Sequence, residues 1–203
     1  MSLKLYLGSK SQSRQFLLKE ARIPFTLIDQ NADETACDWS LPLKELVLSI
    51  SLHKMEHLVL PAGKEGDSIL VLTADTLSEN NAGKIEGKPV DKQDAIRKLK
   101  DAREGSKLYS AFCLDKKKYK KGEWHTVDRI HEAVYAECQF IVPDEWLERY
   151  FNNSVGFSCS NAIAIEQYGM LFAKKVAGSY TAIVGLPLFE LREALEKLGF
   201  YMQ

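Results

Sequence analysis

Residues 8–14, Gly8-Ser9-Lys10-Ser11-Gln12-Ser13-Arg14, gather a glycine, three hydroxyls and two cations in one short stretch. Gly8 lets the backbone turn sharply, and Ser9, Ser11 or Ser13 can cap the helix that follows. Free N–H groups, hydroxyls and Arg14, with Lys10 as a second cation, then meet at a helix N-terminus, an arrangement that binds anions. The same residues also describe an ordinary serine-capped turn. Further chemistry-bearing residues are scattered behind this stretch. Asp33 and Glu34 are adjacent carboxylates in a polar loop, where solvated acids are the rule. Asp75 follows the apolar run 69–73 and reads either as a ligand-facing carboxylate at the carboxyl end of a central strand or as the start of a turn. Lys88 stands between Gly87, which frees the backbone, and Pro89, which fixes it, so it reads as a phosphate contact or as loop surface. His53-Lys54-Met55-Glu56-His57 matches H-x-x-E-H, a zinc-peptidase pattern, although no third ligand announces itself.

These groups need elements to hold them. Residues 3–7 alternate as a strand, and residues 11–21 form a short amphipathic helix that Pro24 stops. Residues 25–28 read as a strand. Ser40 is placed to cap the next helix with Pro42 in its first turn, and Leu43, Leu46, Val47, Ile50 and Leu58 share one face. Lys54 lies near the centre of that face. A charge there either snorkels past the core or reaches a site that needs a cation. Residues 69–73 read as a strand buried on both faces, ending in Ala74-Asp75-Thr76 and a polar loop through Gly83. Asp91 caps a helix whose apolar side is Ala95, Ile96, Leu99 and Ala102. Residues 107–114 and 124–140 form two strands, with the lysines of 116–121 at a solvated hairpin tip. A short helix follows Pro143, residues 152–169 are irregular, and a last helix carries Leu188, Leu191, Leu195 and Leu198. Strands and helices alternate without a linker-like break, so the expectation is one α/β domain over residues 1–203 with a mixed sheet.

Composition narrows the partners. A net charge of −1 gives no global electrostatic case for nucleic acid or an anionic membrane, so any phosphate site must be a local basic pocket. No apolar run approaches the ~18 residues of a membrane span, and the start of the chain lacks a signal peptide's apolar centre. Cys37, Cys113, Cys138 and Cys159 are far apart in sequence and read as free thiols, which makes a cytoplasmic location the expectation.

Taken in order, these segments resemble the Maf-like family of nucleoside triphosphate pyrophosphatases. The family's L-A-S-x-S-P-R-R-x-x-L-L stands here as residues 7–18, its Asp-Glu pair as Asp33-Glu34, and the lysine of its K-A helix as Lys54. Its A-D-T is Ala74-Asp75-Thr76, its G-K-P is Gly87-Lys88-Pro89, and its G-S-Y…V-G-L-P-L is Gly178-Ser179-Tyr180 and residues 184–188. The resemblance implies an elongated α/β fold of the inosine-triphosphate-pyrophosphatase type, two lobes with a central cleft. It implies hydrolysis of a nucleoside triphosphate to the monophosphate and pyrophosphate with a divalent cation, Mg²⁺ or Mn²⁺, and it leaves a homodimer open. A triphosphate brings roughly four negative charges, so it needs several cations and N–H donors. Ser9, Arg14, Lys54 and Lys88 are the residues that would supply them. Glu34 and Asp75 are the expected metal ligands, and Asp75 alternatively positions or deprotonates the attacking water. Glu34, Lys54, Asp75 and Lys88 thus form the expected catalytic set.

Three departures accompany the resemblance. Gln12 replaces the loop proline, and Ser13 replaces the first arginine. In the late segment Glu166 replaces a glutamine and two glycines are absent; Glu166 is the expected substrate contact there. Glu166 also occurs in the subgroup acting on 7-methylguanosine triphosphate, whereas Thr76 looks like the subgroup acting on dTTP and UTP, so the base stays open. A nucleotide-binding relative with weak or lost turnover is the second reading, and a zinc metallopeptidase built on His53 and His57 the third.

Overall fold

The computed structural model describes residues 3–201. Its frame is a mixed sheet of seven strands, in the order β2-β1-β3-β5-β6-β7 with β4 paired to β3. The strands are β1 (Lys4–Leu7), β2 (Thr26–Leu27), β3 (Ser68–Asn80), β4 (Ile85–Glu86), β5 (Ser106–Lys120), β6 (Glu123–Phe140) and β7 (Ala173–Gly178). β1 runs parallel to β2 and β3, and the other pairings are antiparallel, as the long β5–β6 hairpin requires. The helices are α1 (Gln12–Glu20), α2 (Leu43–Glu56), α3 (Lys92–Ala102), α4 (Leu147–Asn153), α5 (Tyr180–Val184) and α6 (Leu188–Lys197).

β3 organises the molecule because its two faces are buried under different layers. Ile69 and Val71 pack with Met55, and Leu77 packs with Leu43, Leu46, Val47 and Ile50, so α2 covers this face. Leu70, Leu72 and Ala74 point the other way, into the main core with Leu17 and Leu18 of α1, Leu99 of α3 and Leu191 of α6. The period-2 alternation of a strand therefore sends Asp75 to the α2 side and its neighbour Thr76 to the opposite side.

β3 is also longer than expected. The strand does not end near Asp75; it continues to Asn80, so Asp75 lies mid-strand. The polar residues 78–80 are held by pairing with β5 and by the short β4. β1, by contrast, stops at Leu7 opposite Leu72. The second half of β3 thus has no β1 beside it, and the turn after β1 fills that space. Gly8 makes the turn: its N–H donates to the Leu72 carbonyl at 2.9 Å, and a Cβ there would run into Leu58 and Thr73.

Other boundaries moved for local reasons. Ser40 does not cap α2, because its hydroxyl donates to Asp38 at 2.6 Å and Pro42 takes the cap position without a side-chain bond. Leu58 falls beyond the end of α2 at Glu56. The lysines 116–120 lie within β5, not at a hairpin tip; the turn is Lys121-Gly122, both at positive φ. Lys117 is buried there against Asp115 at 2.8 Å. Asp91 caps α3 as expected, its carboxylate accepting the Asp94 N–H at 2.8 Å. Among the described residues no helix is long and apolar enough to cross a membrane.

Candidate functional site

Where β1 ends, a cleft opens between the 8–14 turn, α2, the middle of β3 and the loop after β4. It has two adjoining chambers, of about 270 and 220 Å³. The first is lined by the 8–14 turn; the second is lined by apolar groups, among them Leu77, Leu108, Ile163 and Ile183, with Thr76 and Ser160. Ser13, Arg14, Glu34, Lys54 and Lys88 border both chambers.

Lys54 is the hub. It is 6% exposed and its ammonium lies 2.7 Å from Asp75 Oδ1 and 2.8 Å from Glu34 Oε1. Placed on the apolar face of α2, it does not snorkel out to solvent but ends between two carboxylates on the cleft wall. Two carboxylates make its burial tolerable, since an unpaired buried charge is expensive. The adjacent acids of the loop divide their labour. Asp33 accepts the Thr35 N–H and hydroxyl at 3.0 and 2.7 Å and so caps a single turn of 3-10 helix, Glu34–Ala36. That turn delivers Glu34 to Lys54. Trp39, on the cleft wall, donates its indole N–H to the Glu34 carbonyl at 3.1 Å and braces the same turn. Burial opposes the Glu34 charge, but Lys54, with Lys88 and Arg14 farther off, holds its carboxyl below the usual range.

Arg14 is buried beneath the 8–14 turn. Its Nε donates to the Gly185 carbonyl at 2.8 Å, Nη1 to Ser9 Oγ at 3.2 Å and Nη2 to Thr76 Oγ1 at 3.2 Å. Three of its five N–H donors are therefore used in joining β3, α5 and the turn, and two are left. Burial lowers its pKa, with Asp75, Glu34 and Cys159 opposing. Ser11 is the residue that caps α1, its hydroxyl accepting the Arg14 N–H at 3.4 Å. Ser9 accepts from the Ser11 N–H at 3.3 Å as well as from Arg14. Lys88 is exposed at the rim and makes no ion pair with any described carboxylate.

The cleft thus assembles Ser9, Arg14, Glu34, Lys54, Asp75 and Lys88. Glu166 stands apart, in a neighbouring depression, where its Oε1 accepts the Ser13 hydroxyl at 2.6 Å. It reaches the cleft only through Ser13. Cys159 also lines the cleft, but burial pushes its thiol up to about 12, so it is no thiolate nucleophile at neutral pH. The His53 and His57 rings meet at the end of α2, centroids 4.2 Å apart and tilted by 49°, with His57 Nδ1 2.8 Å from the His53 carbonyl oxygen. His57 is already outside the helix, and no group of three or more His, Cys, Asp or Glu suited to a metal occurs among the described residues. The two-histidine helical geometry of a zinc peptidase is therefore not formed. Sequence reasoning missed Thr76 as a structural partner of Arg14, and also Ser110, whose hydroxyl lies 2.6 Å from that of Thr76.

Residues 4–198 match the family described as Maf-like protein. The chain is 30% identical over 204 residues to the dTTP/UTP pyrophosphatase of Caldicellulosiruptor bescii, covering 97% of this chain and 96% of the relative. It is 32% identical over 216 residues to the dTTP/UTP pyrophosphatase of Hydrogenovibrio crunogenus, with both chains covered completely. A nucleoside triphosphate pyrophosphatase of a Synechococcus species is 30% identical, over 97% of this chain and 94% of that one.

Proposed function

The chain belongs to the Maf-like family, and from that premise we propose that its cleft hydrolyses the α–β phosphoanhydride of a nucleoside triphosphate, releasing the monophosphate and pyrophosphate. The observation that carries this reading is the buried Lys54 clamping Glu34 and Asp75 at 2.8 and 2.7 Å where the two chambers meet. The triphosphate lies in the chamber of the 8–14 turn, against backbone N–H groups, Ser9, the spare donors of Arg14 and the ammonium of Lys88. The sugar and base enter the apolar chamber. Asp75 orients the attacking water and takes up its proton, and Lys54 holds Asp75 in place for that task. The catalytic set is Glu34, Lys54, Asp75 and Lys88.

The charges call for a further cation. Arg14, Lys54 and Lys88 against Glu34 and Asp75 leave the cleft at about +1, Lys10 at its edge being paired with Asp29 at 3.1 Å, while the substrate brings roughly four negative charges. Asp75 Oδ2 is buried and has no hydrogen-bond partner, and Glu34 is half-exposed beside it. Two hard carboxylates of this kind fit Mg²⁺ or Mn²⁺ shared with substrate phosphates better than a closed protein cage. Glu34 and Asp75 would hold the ion, which when bound neutralises charge on the phosphate oxygens; for Asp75, whose Oδ1 is taken by Lys54, that ligation is the alternative to accepting the water's proton.

The base is a pyrimidine in this reading, dTTP or UTP as in two of the relatives. Ser160 lines the apolar chamber with its proton held by the Glu86 carbonyl, so its oxygen is left to accept the N–H of an imide edge. Glu166, which also occurs in the subgroup acting on 7-methylguanosine triphosphate, acts on substrate only through Ser13. We read the chain as one domain, its cleft as the groove between two lobes of the inosine-triphosphate-pyrophosphatase type, and its location as cytoplasmic. The Ser13–Glu166 bond, which takes up the hydroxyl that replaces a family arginine, favours binding with slow turnover as the second reading. The test is pyrophosphate release from a panel of canonical and modified nucleotides with Mg²⁺ or Mn²⁺. dTTP and UTP are expected to lead. Absence of release from every nucleotide, with Asp75→Ala matching the parent, would overturn the enzymatic reading; tight calorimetric binding without release would select the second.

A further inference from the structure

Outside the catalytic set, a group of buried charges lies behind the loop that carries Lys88. Glu86 is 1% exposed and Lys98 of α3 is 5% exposed. The Glu86 carboxylate accepts from Arg97 Nη1 and Nη2 at 2.9 Å each and from Lys98 Nζ at 2.8 Å. The Lys98 ammonium also donates to the Gly87 carbonyl at 3.0 Å and lies 3.5 Å from Asp94. Gly87 is the residue directly before Lys88. We infer that Glu86 and Lys98 are positioning residues: Glu86 fixes the Lys98 ammonium, and Lys98 holds the Gly87 peptide so that Lys88 faces the triphosphate. This rests on the reading of Lys88 as a phosphate contact.

The physical case is that hydrogen bonds, and not packing at Gly87 itself, fix the backbone just before Lys88. A Cβ built on Gly87 meets no atom within 4 Å, so packing does not restrain it. Hydrogen bonds do. The Gly87 carbonyl accepts from Lys98 Nζ and from the Asn161 N–H, each at 3.0 Å. The Glu86 carbonyl accepts from Ser160 Oγ at 2.6 Å and Ser78 Oγ at 3.2 Å. Each of the two peptides before Lys88 is thus tied twice. Only the Lys98 tie depends on a buried ion pair, which is an expensive element for a loop that needed no more than solubility. An exposed lysine has several rotatable bonds, and fixing its backbone root reduces what must be ordered on binding.

A double-mutant cycle tests the inference. Inorganic tripolyphosphate serves as the probe, with affinity measured by calorimetry for the parent, Lys88→Ala, Lys98→Met and the combination. Each single variant is expected to bind about tenfold more weakly, the scale of one charge-assisted hydrogen bond, and the combination no more weakly than Lys88→Ala. Glu86→Leu/Lys98→Met removes both buried charges together, leaves neither orphaned, and is expected to show the same loss as Lys98→Met. If Lys98→Met binds like the parent, or the two losses multiply, the positioning role is overturned. If Lys88→Ala binds like the parent, the phosphate-contact reading fails instead, and hydrogen exchange decides the tether alone. Faster exchange at the Gly87 and Lys88 amides in Lys98→Met supports it, and unchanged exchange overturns it.

Discussion

Acid should unfold this protein partly through a single residue, Glu86. Burial opposes its charge, yet Arg97 and Lys98 outweigh burial and hold its carboxyl down to about 2, against an ordinary 4.5. A folded-state pKa below the unfolded one means that the ionised form favours folding. That contribution is complete above pH 4.5 and is lost as pH falls toward 2. At about 1.4 kcal/mol for each factor of ten, the gap amounts to about 3 kcal/mol at neutral pH, with more than half of it gone at pH 3. Glu86→Gln is the isosteric copy of the protonated residue, so it should be about 3 kcal/mol less stable than the parent at pH 7. The two proteins should then converge as pH falls to 3 and below. Urea unfolding at pH 7, 5 and 3, with the slopes compared to confirm that both unfold alike, measures the difference directly. Other low-pKa acids, such as Asp115 beneath Arg129 and Lys117, weaken both proteins equally and drop out of the subtraction. Parallel curves at all three pH values, with a constant gap or none, would refute the linkage.

Two further outcomes follow from the cleft. Asp75→Asn keeps the shape and removes the proton acceptor, so pyrophosphate release in a stopped assay should fall about 100-fold or more while nucleotide binding persists. Arg14→Lys replaces a fork that joins Gly185, Ser9 and Thr76 with a single ammonium; KM should rise by about tenfold, and thermal unfolding should shift down, because one ammonium cannot span those three acceptors.

Much of this was legible in the sequence, and the residues explain why. Lys54 interrupts an apolar helical stripe, and an interruption at the centre of a buried face demands partners. Gly8 followed by serines forecasts a turn and cap, and both are present, with Ser11 as the cap. The same logic, applied to α3, would have found Lys98: it occupies the stripe of Ala95, Leu99 and Ala102 at helical spacing, and it is buried like Lys54. Glu86 gives no such signal, because a carboxylate beside a glycine in a short polar segment is locally identical to a solvated loop. The continuation of β3 through Ser78, Glu79 and Asn80 was hidden for a related reason. Ser78 and Asn80 meet polar partners in Glu86, across the β3–β4 turn, and in Ser160, far off in sequence, and local propensity registers neither. The alternation of Asp115 and Lys117 inside β5 reads as charge at a tip until the buried carboxylate is seen to take Lys117, Arg129 and Thr126 together.

Of the chain's three tryptophans, Trp124 donates to the Pro61 carbonyl beside Tyr119, and Trp146 lies against Phe172 and Arg149. Trp39 alone of the three lines the main cleft, bonded to the same short turn that carries Glu34. The protein therefore contains its own optical probe. Occupancy of the cleft alters the surroundings of one indole while the other two supply a constant background, so nucleotide arrival can be followed by intrinsic fluorescence, in real time and without a label.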